Sequence, residues 1–199
     1  MKENLLNKSN KLFLTVNDIA NNLSISKESA KVAATRYVKS GSLIRLKRNL
    51  YITSEKFKGL TESELFQIAN FIQVPSYISL TTALSYYGIT TQQLQNIIES
   101  ISLKRSKVQK VKNIQFRYYK IKNSFYTGFQ INNNYFIAQP EKAFADAVYL
   151  TSIGKYSVDF ESIDFKKLNS TKVAEFLETI NSSSITINFW ERLCKRYKI

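Results

Sequence analysis

Apolar residues near the N-terminus recur with the period of two short helices. In the first helix they follow the i, i+3, i+4, i+7 spacing of one helix face, at Val16, Ile19, Ala20 and Leu23. Thr15 precedes this run, and Asp18 stands three positions after Thr15, as in a capping box. The pattern therefore predicts a helix that begins directly after Thr15.

A second helix is predicted from Lys27 to about Ser40. Ser26 is suited to be its N-cap, and Gly41 stands where a glycine commonly ends a helix. Its apolar stripe consists of Ala30, Ala33, Ala34, Tyr37 and Val38. Two short helices with a tight turn and small residues at their crossing predict a helix-turn-helix.

Two short β-prone runs follow the second helix. Leu43–Leu46 and Leu50–Thr53 are joined by the basic segment Lys47-Arg48-Asn49 and predict a hairpin. A basic hairpin in this position is typical of a wing. We therefore predict a winged helix-turn-helix domain over residues 1–58.

Residues 1–58 hold twelve Lys and Arg against four Asp and Glu, a balance of +8 out of +14 for the chain. Such a concentration of positive charge favours binding to duplex DNA. On the second helix and hairpin, side chains that suit base edges or phosphates are Lys27, Ser29, Lys31, Val32, Thr35, Arg36, Lys39, Arg45, Lys47 and Arg48. The alternatives are a solvated basic face and a winged helix that binds protein.

Residues 59–199 predict a larger α+β domain with a mostly antiparallel sheet. Residues 56–59 resemble a linker. Helices are expected from Thr61, over Leu80–Tyr87, from Pro140, and over Ser170–Ile180 and Ile187–Tyr197. Strand-like runs are Ile97-Ile98, Ile114–Tyr119 and Tyr135–Ala138. Pro140 suits a first helical position, and Lys142 can reach Asp146 one turn later, which favours simple helix initiation.

Eight cations and no acidic residue lie between Ser100 and Pro140. They include the candidates for a second nucleic-acid surface, Lys104, Arg105, Lys107, Lys110, Lys112 and Arg117. Interleaved aromatic residues that could stack on bases are Phe116, Tyr118, Tyr119, Phe125 and Tyr126. The alternative is an edge strand whose lysines prevent pairing with another chain, with the aromatic rings in the core.

Composition excludes several kinds of active site. The chain has no histidine and one cysteine, Cys194, so His-dependent triads and the common His or Cys metal sites are excluded. We expect no catalytic residues, metal or cofactor. The lone cysteine fits a reducing cytoplasm, and no apolar run approaches the length of a membrane span.

The basic winged helix, Tyr77–Ile89, the basic β stretch and the helix Pro140–Asp146 resemble, in this order, the AbiEi family. The resemblance covers about residues 10–150. It implies a repressor that binds inverted repeats in its own promoter. It also implies a type IV antitoxin, which opposes a nucleotidyltransferase-like toxin in abortive infection without a stable complex.

Two other functions remain open from the sequence. One is a solitary transcription factor whose second domain senses a ligand or mediates assembly. The other is a Mg²⁺-dependent nuclease, for which Asp159, Asp164 and Lys166 provide an acidic pair and a lysine.

Overall fold

The computed structural model describes residues 11–179 and 184–199 of a mixed α/β protein. The chain divides into two compact units, Met1–Ile68 and Ala69–Ile199. This division falls ten residues after the predicted domain boundary at 58/59, inside a helix that continues from one unit into the other.

The first unit follows the predicted order of elements. They are α1 (Val16–Leu23), α2 (Lys27–Lys39), β1 (Leu43–Lys47), β2 (Leu50–Thr53) and α3 (Ser54–Lys58). Thr15 and Asp18 form the predicted capping box, and Ser26 caps α2 by accepting from the Ser29 N–H. Gly41 has φ +82°, a conformation that favours glycine. The linker predicted at 56–59 is wrong in part, because Thr53 caps the short helix α3 there.

The core of this unit joins both helices to the hairpin. Ile19 of α1 packs in one cluster with Ala30 and Ala34 of α2, which have no exposed surface. Leu14 and Tyr51 of β2 belong to the same cluster and exchange both backbone hydrogen bonds, at 2.7 and 2.8 Å. The hairpin is thus paired with the segment that leads into α1.

The second unit contains a six-stranded sheet in the order β5-β6-β4-β3-β8-β7. Its strands are β3 (Ser76–Ile78), β4 (Ile97–Ser102), β5 (Lys107–Val111), β6 (Ile114–Lys120), β7 (Phe129–Asn132) and β8 (Tyr135–Ala138). Strands β4 and β6 pair in parallel, as do β3 and β8, while the other three pairs are antiparallel. The sheet is therefore mixed, with more parallel pairing than the sequence predicts.

Helices and short 3₁₀ turns complete the second unit. The helices are the last residues of α4 (Glu62–Ile72), from Ala69 onward, together with α5 (Leu80–Tyr86), α6 (Pro140–Ser152), α7 (Ser170–Glu178) and α8 (Ser184–Tyr197). The predicted helices are confirmed to within a few residues, and Pro140 is the first residue of α6. Ile180, the predicted end of the helix from Ser170, lies outside the described residues. Within the described ranges, no helix has both the length and the apolar character needed to cross a membrane.

The two edges of the sheet differ in charge. The edge strand β5 carries Lys107 and Lys110. The opposite edge strand β7 has the uncharged sequence Phe-Gln-Ile-Asn, and Ile131 on it is 71% exposed.

Candidate functional site

Helix α2 has an apolar face that is buried and a polar face that is exposed to solvent. Ala30 and Ala34 are fully buried, and Ala33, Tyr37 and Val38 are partly buried. Every candidate DNA-contact residue of this helix is exposed, namely Lys27, Ser29, Lys31, Val32, Thr35, Arg36 and Lys39. The helix therefore presents these side chains together on its solvent side.

Small side chains explain how α2 is held. A buried alanine lets the backbones of two helices approach closely, and Ala30 and Ala34 belong to the same core cluster as Ile19 of α1. Val32, with 52% of its surface exposed, is the one large apolar residue on the opposite face. The Thr35 hydroxyl donates to the Lys31 carbonyl at 3.0 Å, so its oxygen remains able to accept.

The hairpin places further cations at the surface of the same unit. Arg45 is exposed on β1 and Arg48 in the two-residue turn, while Lys47 is partly buried. Asn49 completes this turn with φ +62°, and its Oδ1 accepts from the Val16 N–H at 2.9 Å. The turn is thus tied to the first N–H of α1.

Most of these cations have no acidic partner. Lys31 lies 3.8 Å from Glu28, a contact between two exposed side chains that contributes little. Within the described residues, Lys27, Arg36, Lys39 and Arg48 form no ion pair. Arg45 on β1 likewise has no ion-pair partner there. A cluster of uncompensated charge of this kind attracts an anionic polymer.

The basic stretch of the second unit does not share one face. Lys104, Arg105 and Lys112 are exposed in connections next to β5. On β5, Lys107 lies beside Tyr118 and Lys110 beside Gln115, on opposite faces of the sheet. Lys107 is 5.3 Å from the centre of the Tyr118 ring. The edge-strand position of both lysines matches the alternative of edge protection.

The expectation that the interleaved aromatic rings stack on bases is wrong for three of the five. Phe116, Tyr118 and Phe125 are at most 2% exposed and belong to the core. The Tyr118 hydroxyl donates to the Ala69 carbonyl at 2.7 Å, so its polar end is also satisfied internally. Strand alternation in β6 explains the burial of Phe116 and Tyr118, since every second residue of this strand faces the core.

The acidic residues of the nuclease hypothesis have local structural partners. The carboxylate of Asp159 accepts from the Glu161 N–H, and that of Asp164 from the Lys166 N–H, each at the start of a 3₁₀ turn. Lys167, the residue after Lys166, lies 3.7 Å from Asp164. No cluster of three or more potential metal ligands occurs among the residues that the structure describes.

Sequence reasoning missed a buried carboxyl group at the centre of the sheet. Glu99 on β4 is 2% exposed, and the Tyr156 hydroxyl donates to its Oε2 at 2.6 Å. Arg117 lies beside it in register on β6 and contributes favourable charge. Burial nevertheless raises the pKa of Glu99 to about 7. The available indication was an acidic residue among the three isoleucines of Ile97–Ser102.

The second buried charge is the pair expected on the helix from Pro140. Lys142 contacts Asp146 as predicted, and both side chains are fully buried. Tyr77 and Ser79 donate to the other carboxylate oxygen of Asp146, and the ammonium lies 3.4 Å from the centre of the Phe125 ring. Burial lowers the pKa of Lys142 and raises the pKa of Asp146, while their mutual attraction opposes both shifts.

No protein-family model matches this chain, and no curated protein matches it either.

Proposed function

We propose that this protein is a sequence-specific DNA-binding repressor whose first unit is a winged helix-turn-helix. The arrangement of α2 is the observation that carries this proposal. Its buried alanines face the core, and the opposite face offers hydrogen-bonding, apolar and cationic groups together. These are the groups that read base edges and hold phosphates.

Arg36 is the residue we assign to base recognition. It is exposed on α2, shares a shallow depression with Ser29 and Val32, and has no ion-pair partner in the described residues. A guanidinium can donate two parallel hydrogen bonds to the O6 and N7 atoms of guanine. Lys27, Lys31, Lys39 and the hairpin cations are assigned to phosphates, which fix register without reading sequence.

The test is titration of the full chain against duplex DNA from its own upstream region and against a shuffled duplex. Arg36→Ala is expected to weaken binding to the upstream duplex by about 1–3 kcal/mol and to reduce its advantage over the shuffled one. Lys172→Ala, which removes one exposed charge on α7, is the matched control. Equal loss on both duplexes would make Arg36 a phosphate contact, and no preference by the unaltered protein would refute the proposal.

Following the AbiEi resemblance, we further propose that the repressor is a cytoplasmic type IV antitoxin that regulates its own operon. This second proposal rests on the four sequence segments that resemble the AbiEi family in the same order along the chain. Its test is a search for an adjacent gene for a nucleotidyltransferase-like protein, followed by co-expression of the two proteins; a solitary gene would contradict this part of the proposal. We expect this protein to restore growth without co-purifying with the toxin. If growth arrest persists, the antitoxin proposal is wrong, and the alternative of a solitary transcription factor remains.

A further inference from the structure

The second unit contains an aromatic pocket next to the C-terminal end of α4. Its volume is about 480 Å³, within the range of sites for small molecules. The rings and apolar side chains that line it include Phe71, Val74, Tyr126, Phe129 and Phe136. Phe71 and Phe136 are 43% and 40% exposed, so a large aromatic surface is open to a ligand.

Contacts on the side away from the pocket fix the position of the Phe129 ring. Phe129 stacks on Tyr77 with 4.7 Å between ring centres and an angle of 16°, and the Tyr77 hydroxyl donates to Asp146. At Gly128, which has φ +70°, an added Cβ would lie 2.6 Å from the Phe176 ring. The backbone before Phe129 therefore approaches its neighbours closely, and the ring has little freedom to move.

A buried amide in the pocket lining has an unused donor. Asn70 is 8% exposed, and its Oδ1 accepts from the Phe136 N–H at 2.6 Å. This hydrogen bond fixes which end of the amide is oxygen and leaves Nδ2 without a partner among the described residues. A buried donor without an acceptor is costly. Less than 1 Å² of Nδ2 is open to solvent, so a ligand acceptor reaches it only when the Asn70 amide turns toward the pocket.

The uncharged lining of the pocket favours an uncharged ligand. None of the described residues that line the pocket is charged. A charged ligand would lose its hydration there without gaining a counter-ion. We propose that the pocket binds an uncharged, planar aromatic molecule with a hydrogen-bond acceptor, which stacks on the exposed rings and accepts from Asn70.

Two isosteric probes test this proposal on the full chain. Quinoline and naphthalene have the same shape, but only quinoline carries an acceptor nitrogen, and it is neutral at the pH of the titration. We expect quinoline to bind about fivefold more tightly, the value of one hydrogen bond. The binding should shift the side-chain amide resonance of Asn70 in ¹⁵N-correlated spectra.

Three variants separate the contributions of ring stacking and of the Asn70 hydrogen bond to binding of the probes. Phe136→Ala should weaken both probes at least about tenfold by removing a stacking surface. Asn70→Asp keeps the acceptor for the Phe136 N–H but removes the donor, so it should abolish the preference for quinoline. Ile131→Ala removes an exposed apolar side chain outside the pocket lining and is the control.

Equal binding of the two probes would overturn the assignment of Asn70, and no binding of either would overturn the ligand site. If sedimentation shows a dimer that Phe136→Ala dissociates, the pocket is covered by a second copy and the proposal is wrong. None of these outcomes depends on DNA binding, so the repressor proposal is tested separately.

Discussion

Replacement of Glu99 by glutamine should change how the stability of the second unit depends on pH. The raised pKa of Glu99 means that the folded protein binds a proton more tightly than the unfolded chain does. Its protonation therefore stabilises the fold below pH 4.5, and this stabilisation is lost as the pH rises through about 7. The E99Q variant keeps a neutral group of the same size and lacks this titration.

The magnitude follows from the two pKa values. A rise from 4.5 to about 7 corresponds to about 3 kcal/mol, at about 1.4 kcal/mol per pKa unit. The free energy of unfolding of the unaltered protein should fall by this amount, relative to E99Q, between about pH 4.5 and 8. Because the chain has no histidine, few other groups titrate in the upper half of this range.

Urea unfolding followed by tryptophan fluorescence suits the measurement. Trp190 is the only tryptophan, is 8% exposed on α8, and lies 6.2 Å from Phe144 between ring centres, so it reports on the second unit. Glu178→Gln, at an exposed carboxylate on α7, is the control. Parallel pH profiles for the unaltered protein and E99Q would show that Glu99 titrates normally and would refute the reasoning.

Three further predictions concern other parts of the molecule. Lys47→Ala with Arg48→Ala should weaken specific and non-specific DNA binding alike and reduce the slope of log K against log salt by about 2, and an unchanged slope would remove the hairpin from the interface. Asn49→Ala should lower stability by about 1–2 kcal/mol in thermal melts, because it loses the bond to the Val16 N–H and strains a positive φ, whereas Asn49→Gly should lose only the bond. Asp146→Asn should cost about 3–5 kcal/mol in urea unfolding by leaving the Lys142 charge unpaired, and a loss as small as that of the Glu178→Gln control would contradict this.

The sequence predicts local structure here better than it predicts pairing between distant segments. Thr15, Ser26 and Gly41 act within one turn of their own helix ends, so their roles could be read from spacing. Strands β3, β5 and β7 were not predicted, because their neighbours in the sheet define them rather than a strong apolar pattern in their own residues. Ser76–Ile78 illustrates this, since it lies between two strands from later in the chain.

The features of the candidate site also differ in how far the sequence predicts them. The exposed face of α2 follows from the helical period alone. The burial of Lys142 and Asp146 could have been inferred, because the apolar residues around them in α6 leave the helix no polar face. The pocket lined by Asn70 and Phe136 could not, since it brings α4 together with a strand more than sixty residues later.

The unequal charge of the two sheet edges would give any self-association of this protein a preferred direction. Lysines on β5 repel an incoming strand of the same kind, whereas β7 offers unpaired backbone groups with no such barrier. At high concentration, copies should therefore meet first through β7. Placing a lysine at Ile131, which is largely in solvent, is the simplest change for keeping purified material monodisperse.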